Sequence, residues 1–187
     1  TYSARLSLKG KEWIRVFVIK KDPRVQTTQQ EFQEQFAFLM KVRDTLTAAH
    51  QAILEIRDIR GQTNDLVKRL EKHPAKDSVA GMAKRLNDQL KKIEEELIQV
   101  KIKSGQDALN YPIKLNNKIA VLADVASSAD AKPTTQAYDV FNELTGKLGI
   151  QLAKYRAAVG ADLAVFNKTV KLLDVPSVIL KPKSETR

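Results

Sequence analysis

His50 and His73 are the only two histidines in this 187-residue chain, and cysteine is absent. Neither histidine is followed by a second ligand at metal-binding spacing, so the pattern predicts no metal site. Without cysteine there can be no disulfide, no thiolate metal centre and no cysteine nucleophile. His73, beside Pro74, reads as a positive charge at a helix C-terminus. Asp139 with Glu143, and Glu31 with Glu34, each put two carboxylates on one helical face, the arrangement that general acid-base or glycosidase chemistry uses. Bundles repeat that spacing on solvated faces without chemistry, and no aromatic platform for a sugar lies near either pair, so both read as surface charge. Asn167-Lys168-Thr169 fits the N-glycosylation pattern but adjoins Phe166, which reads as inward-facing. No phosphate-binding glycine loop, dinucleotide fingerprint or nucleophile elbow is present. The expectation for this chain is no catalytic residue, no metal and no cofactor.

The residues with the most distinctive spacing lie between 93 and 122, where a long amphipathic helix is stopped, turned and restarted. Gly105 is expected to close the helix with a positive φ, Lys101 and Lys103 to face its negative end, and Asp107 to turn the backbone locally. Pro112 disfavours helical geometry at Tyr111, so Asn110 or Tyr111 is expected to cap a new helix that carries Leu115, Ile119, Leu122 and Ala126 on one face. The chain should therefore reverse or bend here. Asn116 and Asn117 flank the apolar stripe, where their expected role is to hydrogen-bond the neighbouring loop and fix register. Gly105, Asn110, Tyr111, Pro112, Asn116 and Asn117 are thus a structural turn first and candidate ligand contacts second.

Composition sets the class of protein. Hydrophobic residues make up 43% of the chain, enough for a core, while the low glycine, proline and aromatic content favours helices. No stretch of about 18 apolar residues exists, so no membrane span is expected. The chain opens in a strand-like pattern without the features of a signal peptide and reads as a piece of a longer protein. Of the net charge of +10, residues 1 to 26 carry seven basic against two acidic residues, whereas residues 27 to 174 are close to neutral at +3. A basic stripe interleaved with aromatics is missing, which argues against a nucleic-acid partner.

The elements follow from periodicity. Tyr2, Ala4, Leu6 and Leu8 alternate with Ser3, Arg5 and Ser7 as in a half-buried strand, Lys9 to Lys11 form a turn, and Trp13 to Ile19 form the returning strand. A lone hairpin is marginal in water, so residues 1 to 26 are expected to be the last strands of an upstream β-sandwich, or else a small platform for the helices. Residues 27 to 187 should be an elongated antiparallel bundle of three to four helices with an extended tail, making the whole mainly α. Thr28 with Glu31 forms a capping box for a first helix, whose seam is Phe32, Phe36, Leu39, Leu46, Ala49, Ile53, Ile56, Thr63, Leu66 and Leu70. Gly61 inside it marks a bend or a close crossing. Asp77 or Ser78 should cap an antiparallel second helix with Val79, Met82, Leu86, Leu90, Ile93, Leu97 and Val100 inward. Glu94 to Glu96 follow Lys91 and Lys92 as an exposed charged face. Thr134 or Thr135 should open a later helix with Tyr138, Phe141, Leu144, Leu148, Leu152 and Tyr155 inward. Gly160 should interrupt that helix, with Asp162 capping a continuation through Leu163, Phe166, Val170 and Leu173. Pro176 then releases the tail, in which Val178 to Leu180 could run along the bundle.

LNYPIKLNNKIA at 109 to 120, preceded by IEEELIQVKIKSGQD, together with KKDPRV at 20 to 25 and RVQTTQQEFQEQFAFLMKVRDTLTAA, is similar to a known pattern. It resembles the C-terminal region of large secreted bacterial proteins whose body is a sortilin-type β-propeller with Asp-box (BNR) repeats, often labelled glycosyl hydrolase-like or sialidase-like. The resemblance spans nearly the whole chain. It departs at Ala164, where relatives commonly carry proline. It implies export to the periplasm or cell exterior. It also implies a helical spacer, docking or oligomerisation module whose partners are the upstream propeller and sandwich, another protein or a second copy. Any hydrolase activity would belong to the propeller, with this chain at most an accessory to a glycan site through Tyr111, Asn116 or Asn117.

Overall fold

A computed structural model describes residues 1 to 173. It contains strands β1 (Tyr2–Leu8) and β2 (Lys11–Phe17) and helices α1 (Gln29–Arg69), α2 (Lys76–Leu97), α3 (Leu115–Ser127), α4 (Thr135–Ala157) and α5 (Ala164–Lys171). The expected division into an N-terminal antiparallel hairpin and a mainly helical remainder is what the chain forms. The expected tail, with Val178 to Leu180, lies outside the described residues.

β1 and β2 pair in antiparallel register from Tyr2↔Phe17 to Leu8↔Lys11. Lys9 and Gly10 make the two-residue turn, both at positive φ, 48° and 78°, as the tightest hairpins need to match strand twist. One face carries Tyr2, Leu6, Leu8, Trp13 and Phe17, with the Tyr2 and Phe17 rings stacked at 5.8 Å. The strands are not half-buried as alternation suggests. Every position of both is exposed, Trp13 by 45% and Leu6 by 63%, and neither strand packs against a helix. The apolar face that alternation encodes is formed and left uncovered.

α1 begins with the expected capping box: the Glu31 amide donates to Thr28 Oγ1 and the Thr28 amide to Glu31 Oε2. The helix is continuous across its 41 residues, about 61 Å at the helical rise. Gly61 causes neither a break nor a close crossing, because a Cβ there would meet nothing within 4 Å. The seam is displaced at its start. Phe36 is 63% exposed, and Phe38 and Val42 are buried instead, because Phe38 lies edge-on to Tyr138 and Phe141 of α4. From Ala49 onward the expected positions are buried, and Ile59 joins them.

Contacts between helices give the topology. Thr63 pairs with Asn87, and Arg60 with Glu94, so residue numbers rise on α2 as they fall on α1: the two are antiparallel. Phe38 meets Phe141 and Glu55 meets Tyr155, so α4 runs parallel to α1. α3 begins beside the end of α2, where Lys114 reaches Glu96, and ends where Gln35 Nε2 donates to the Ala126 carbonyl. α2 and α3 therefore point the same way and together form one interrupted column beside α1. Of the two courses expected at the organising turn, a reversal or a bend, the chain does not take the reversal. It loops out and resumes its direction.

Smaller departures have local causes. α2 starts at Lys76 with Ala75 as its cap residue, not with Asp77 or Ser78, because the His73 carbonyl already receives the Lys76 amide in a tight turn. Met82 is only partly buried and Ala83 takes the inward place, while Val100 is exposed beyond the helix end. α4 is capped by Thr134, whose Oγ1 receives the Ala137 amide. Gly160 does not end it. Residues 158 to 163 form a π-helical stretch that carries the helix through to α5 without a cap at Asp162, a wider turn that absorbs the register change within one continuous rod.

Candidate functional site

The loop from 98 to 114 joins the two halves of the interrupted column. α2 ends at Leu97, well ahead of Gly105, and Ile98 is already extended at φ −139° and ψ 145°. Lys101 and Lys103 thus lie past the helix end, and Gly105 is exposed without a positive φ. Asp107 does turn the backbone: its carboxylate receives the amides of Lys103 and Ser104, at 2.7 and 2.9 Å, and the Ser104 hydroxyl at 3.0 Å. These donors, the Lys103 amide foremost, hold the Asp107 carboxyl below its ordinary range. A single 3-10 turn follows at Asp107–Leu109.

Neither Asn110 nor Tyr111 caps α3. Its N-terminal flanking residue is Lys114, with no side-chain cap. Asn110 is exposed, and Tyr111 is half-buried with the Lys101 ammonium 5.4 Å from its ring centre. The Pro112 carbonyl receives Gln99 Nε2 at 2.9 Å, which ties the loop's two ends together. Leu115, Ile119, Leu122 and Ala126 are all buried, as their spacing predicts. Asn116 and Asn117 separate. Asn117 is exposed, whereas Asn116 is buried at 8% exposure with Oδ1 lacking any partner, so the expected register-fixing bond from it is not made. An uncompensated buried acceptor costs about 1 to 3 kcal/mol.

Beside the loop, a cleft of about 400 Å³ opens between Glu96 of α2, Pro112 to Leu115, Lys118 of α3 and Lys147, Ile150 and Gln151 of α4. Tyr111, Asn116 and Asn117 do not line it. Its chemistry is that of lysines over an apolar floor. Lys114 is bridged to Glu96 at 3.4 Å and Lys147 to Glu143 at 2.5 Å.

His50 is exposed, and His73 Nδ1 receives the Ala75 amide at 3.1 Å, so its ring closes the turn between α1 and α2. Asp139 is exposed and Glu143 is held by Lys147; Glu31 belongs to the capping box and Glu34 receives Gln30. No cluster of metal-ligating side chains occurs among the described residues.

Two buried polar sites escape the sequence pattern. Glu94, assigned above to a solvated face, is 3% exposed, with Arg57 Nε and Arg60 Nη1 each 2.5 Å from its carboxylate oxygens. Its position four residues after Leu90 and three before Leu97 was the available signal. The Tyr155 hydroxyl donates to Glu55 at 2.5 Å, and burial first, then that bond to Glu55, pushes its pKa up. Both sites join helices, and neither opens onto the cleft.

Compared with known proteins, the chain matches no family model, no curated protein and no solved structure.

Proposed function

We propose that this chain is a non-catalytic spacer and docking module at the C-terminal side of a secreted β-propeller protein, with its hairpin completing a β-sandwich of the same parent chain. The observation that carries the proposal is the uncovered hairpin face. Tyr2, Leu6, Leu8, Trp13 and Phe17 share one exposed face, interrupted by Arg15 and edged by Lys11, that no helix touches. Two strands alone are marginal in water, and further strands over this face would stabilise them, which supports the sandwich reading. The bundle, by contrast, closes its own core from Phe38 to Val170. The resemblance of the turn and connector sequences supplies the identity of the parent and its export.

Limited proteolysis of the parent protein tests this. Cleavage in the connector between residues 18 and 28 should release a stable bundle and leave residues 1 to 17 with the preceding fragment. A hairpin that is digested away, while the preceding domain and the bundle stay intact, would overturn the proposal. The competing reading, an accessory part of a glycan site, loses its expected contacts because Tyr111, Asn116 and Asn117 lie outside the cleft. It requires glycan binding by the parent to fall when residues 27 to 187 are removed.

A further inference from the structure

Three concavities lie in series along one flank of the bundle, between α2 and the α4–α5 rod. The first is lined by Met82, Arg85, Leu86, Gln89 and, across from them, Asp162, Val165 and Phe166. It shares Gln89 with the second, which shares Glu96 and Gln151 with the lysine cleft at the loop. Together they make one groove. From Met82 to Glu96 along α2 it spans about 21 Å, four turns of helix, before it continues onto α3.

Apolar side chains open onto it at Val165 towards one end and at Ile150 and Ile113 towards the other, exposed by 58%, 57% and 36%, while the middle is lined by Gln89, Lys92, Gln151 and Lys154 over the buried Ile93. Its rim is basic. Arg85, Lys92, Lys114, Lys118, Lys147 and Lys154 face three carboxylates, Glu95, Glu96 and Asp162. Lys114 is engaged by Glu96 and Lys147 by Glu143, but among the described residues Arg85, Lys92, Lys118 and Lys154 form no ion pair. This excess belongs to the groove, since residues 27 to 174 as a whole are near neutral.

We propose that the groove receives an amphipathic helix with acidic flanks, supplied by a partner protein. A groove four turns long between two antiparallel rods, with open apolar contacts towards its two ends and the aliphatic stems of Lys92 and Lys154 between them, has the length and shape of a helix seat, its ends taking the outer apolar anchors. Four unpaired cations along its edges select Asp and Glu beside those anchors. An acidic polysaccharide fits less well, because the lining offers no open aromatic face for a sugar: Phe166 is 1% exposed. The chain's own residues 174 to 187 carry more basic than acidic side chains, a poor match to a basic rim.

The test is selection of binders to the full chain from a displayed library of helical peptides about 18 residues long, with random flanking charges. Enriched peptides should carry Asp and Glu on both sides of an apolar stripe. Ile150→Glu and Lys154→Glu, both at exposed positions, should each weaken their binding by about tenfold without shifting the melting temperature. Converting both Lys92 and Lys154 to Glu should turn the preference toward basic flanks. No enrichment, or binders indifferent to these substitutions, would overturn the proposal. So would loss of heparin retention in the same variants with no helical peptide bound, which would assign the groove to an acidic polysaccharide.

Discussion

The hairpin and the bundle were built from equally regular patterns and ended in opposite states. In the bundle, apolar residues at helical spacing find partners within the chain, and Phe38, Leu90, Ile119 and Val170 are each at most 1% exposed. In the hairpin, apolar residues at strand spacing find only each other across a two-stranded ladder, and none is buried. A pattern states which face is to be covered. It does not state what covers it, and among the described residues the helical stripes find a cover while the strand face finds none.

That contrast can be broken by substitution. Phe38→Ala removes a fully buried ring with two edge-on aromatic partners and should cost about 3 to 5 kcal/mol, read by chemical denaturation of the helical signal. Glu94→Ala should follow at about 3 kcal/mol, the low end for a broken buried pair, because Arg57 is half-exposed and can turn to solvent while Arg60 cannot do so fully. Tyr155→Phe should cost about 1 to 2 kcal/mol and leave a second signature in pH. The Tyr155 pKa is raised above the ordinary 10.0, so in alkali the unfolded chain releases a proton that the folded chain keeps. Stability should be full below pH 10.0 and fall as pH rises beyond it, and the Phe variant should lose that part of the fall. Asn116→Leu removes a buried acceptor without a partner and should raise stability by about 1 kcal/mol or leave it unchanged, in contrast to an asparagine that fixes register. Trp13→Ala, at the other extreme, should leave bundle melting within about 0.5 kcal/mol of the parent. A larger loss would mean that the hairpin does support the helices.

How much was legible in the sequence can be judged residue by residue. Thr28 with Glu31 announced the start of α1 because a cap is a local bond within four residues. Leu115, Ile119, Leu122 and Ala126 announced the buried face of α3 because they recur at steps of three and four along the whole helix, whereas Val121 and Val125, exposed by 47% and 53%, make only a short second row. The start of α1 offered two, through Phe36 and through Phe38, and the choice between them is made by Tyr138 and Phe141 a hundred residues away. Glu94 looked like surface because its neighbours are charged; only the placing of Arg57 and Arg60 across the helix pair makes burial of a carboxylate affordable. The loop from 98 to 114 was recognisable as a turn, but glycine and proline signals mark where a helix cannot continue and carry no information about direction. Whether the chain doubles back or resumes its course was decided by packing against α1 and α4. Tyr111, one of the two residues expected to cap α3, is instead half-buried in a loop whose residues from 103 to 110 are exposed but for Asp107.

The hairpin carries one more consequence, through Trp13. It is the sole tryptophan in the chain, and it stands on the hairpin, whose strands touch no helix. Tryptophan emission, unlike that of Tyr138 and Tyr155 in α4, is therefore insensitive to the unfolding of the bundle and responsive to whatever approaches the hairpin. Emission and circular dichroism should give transitions that do not coincide, a divergence that would ordinarily be taken for a folding intermediate. Here it would mean that two optical probes are watching two structurally independent parts, and a blue shift on mixing would mark the moment the exposed sheet is covered.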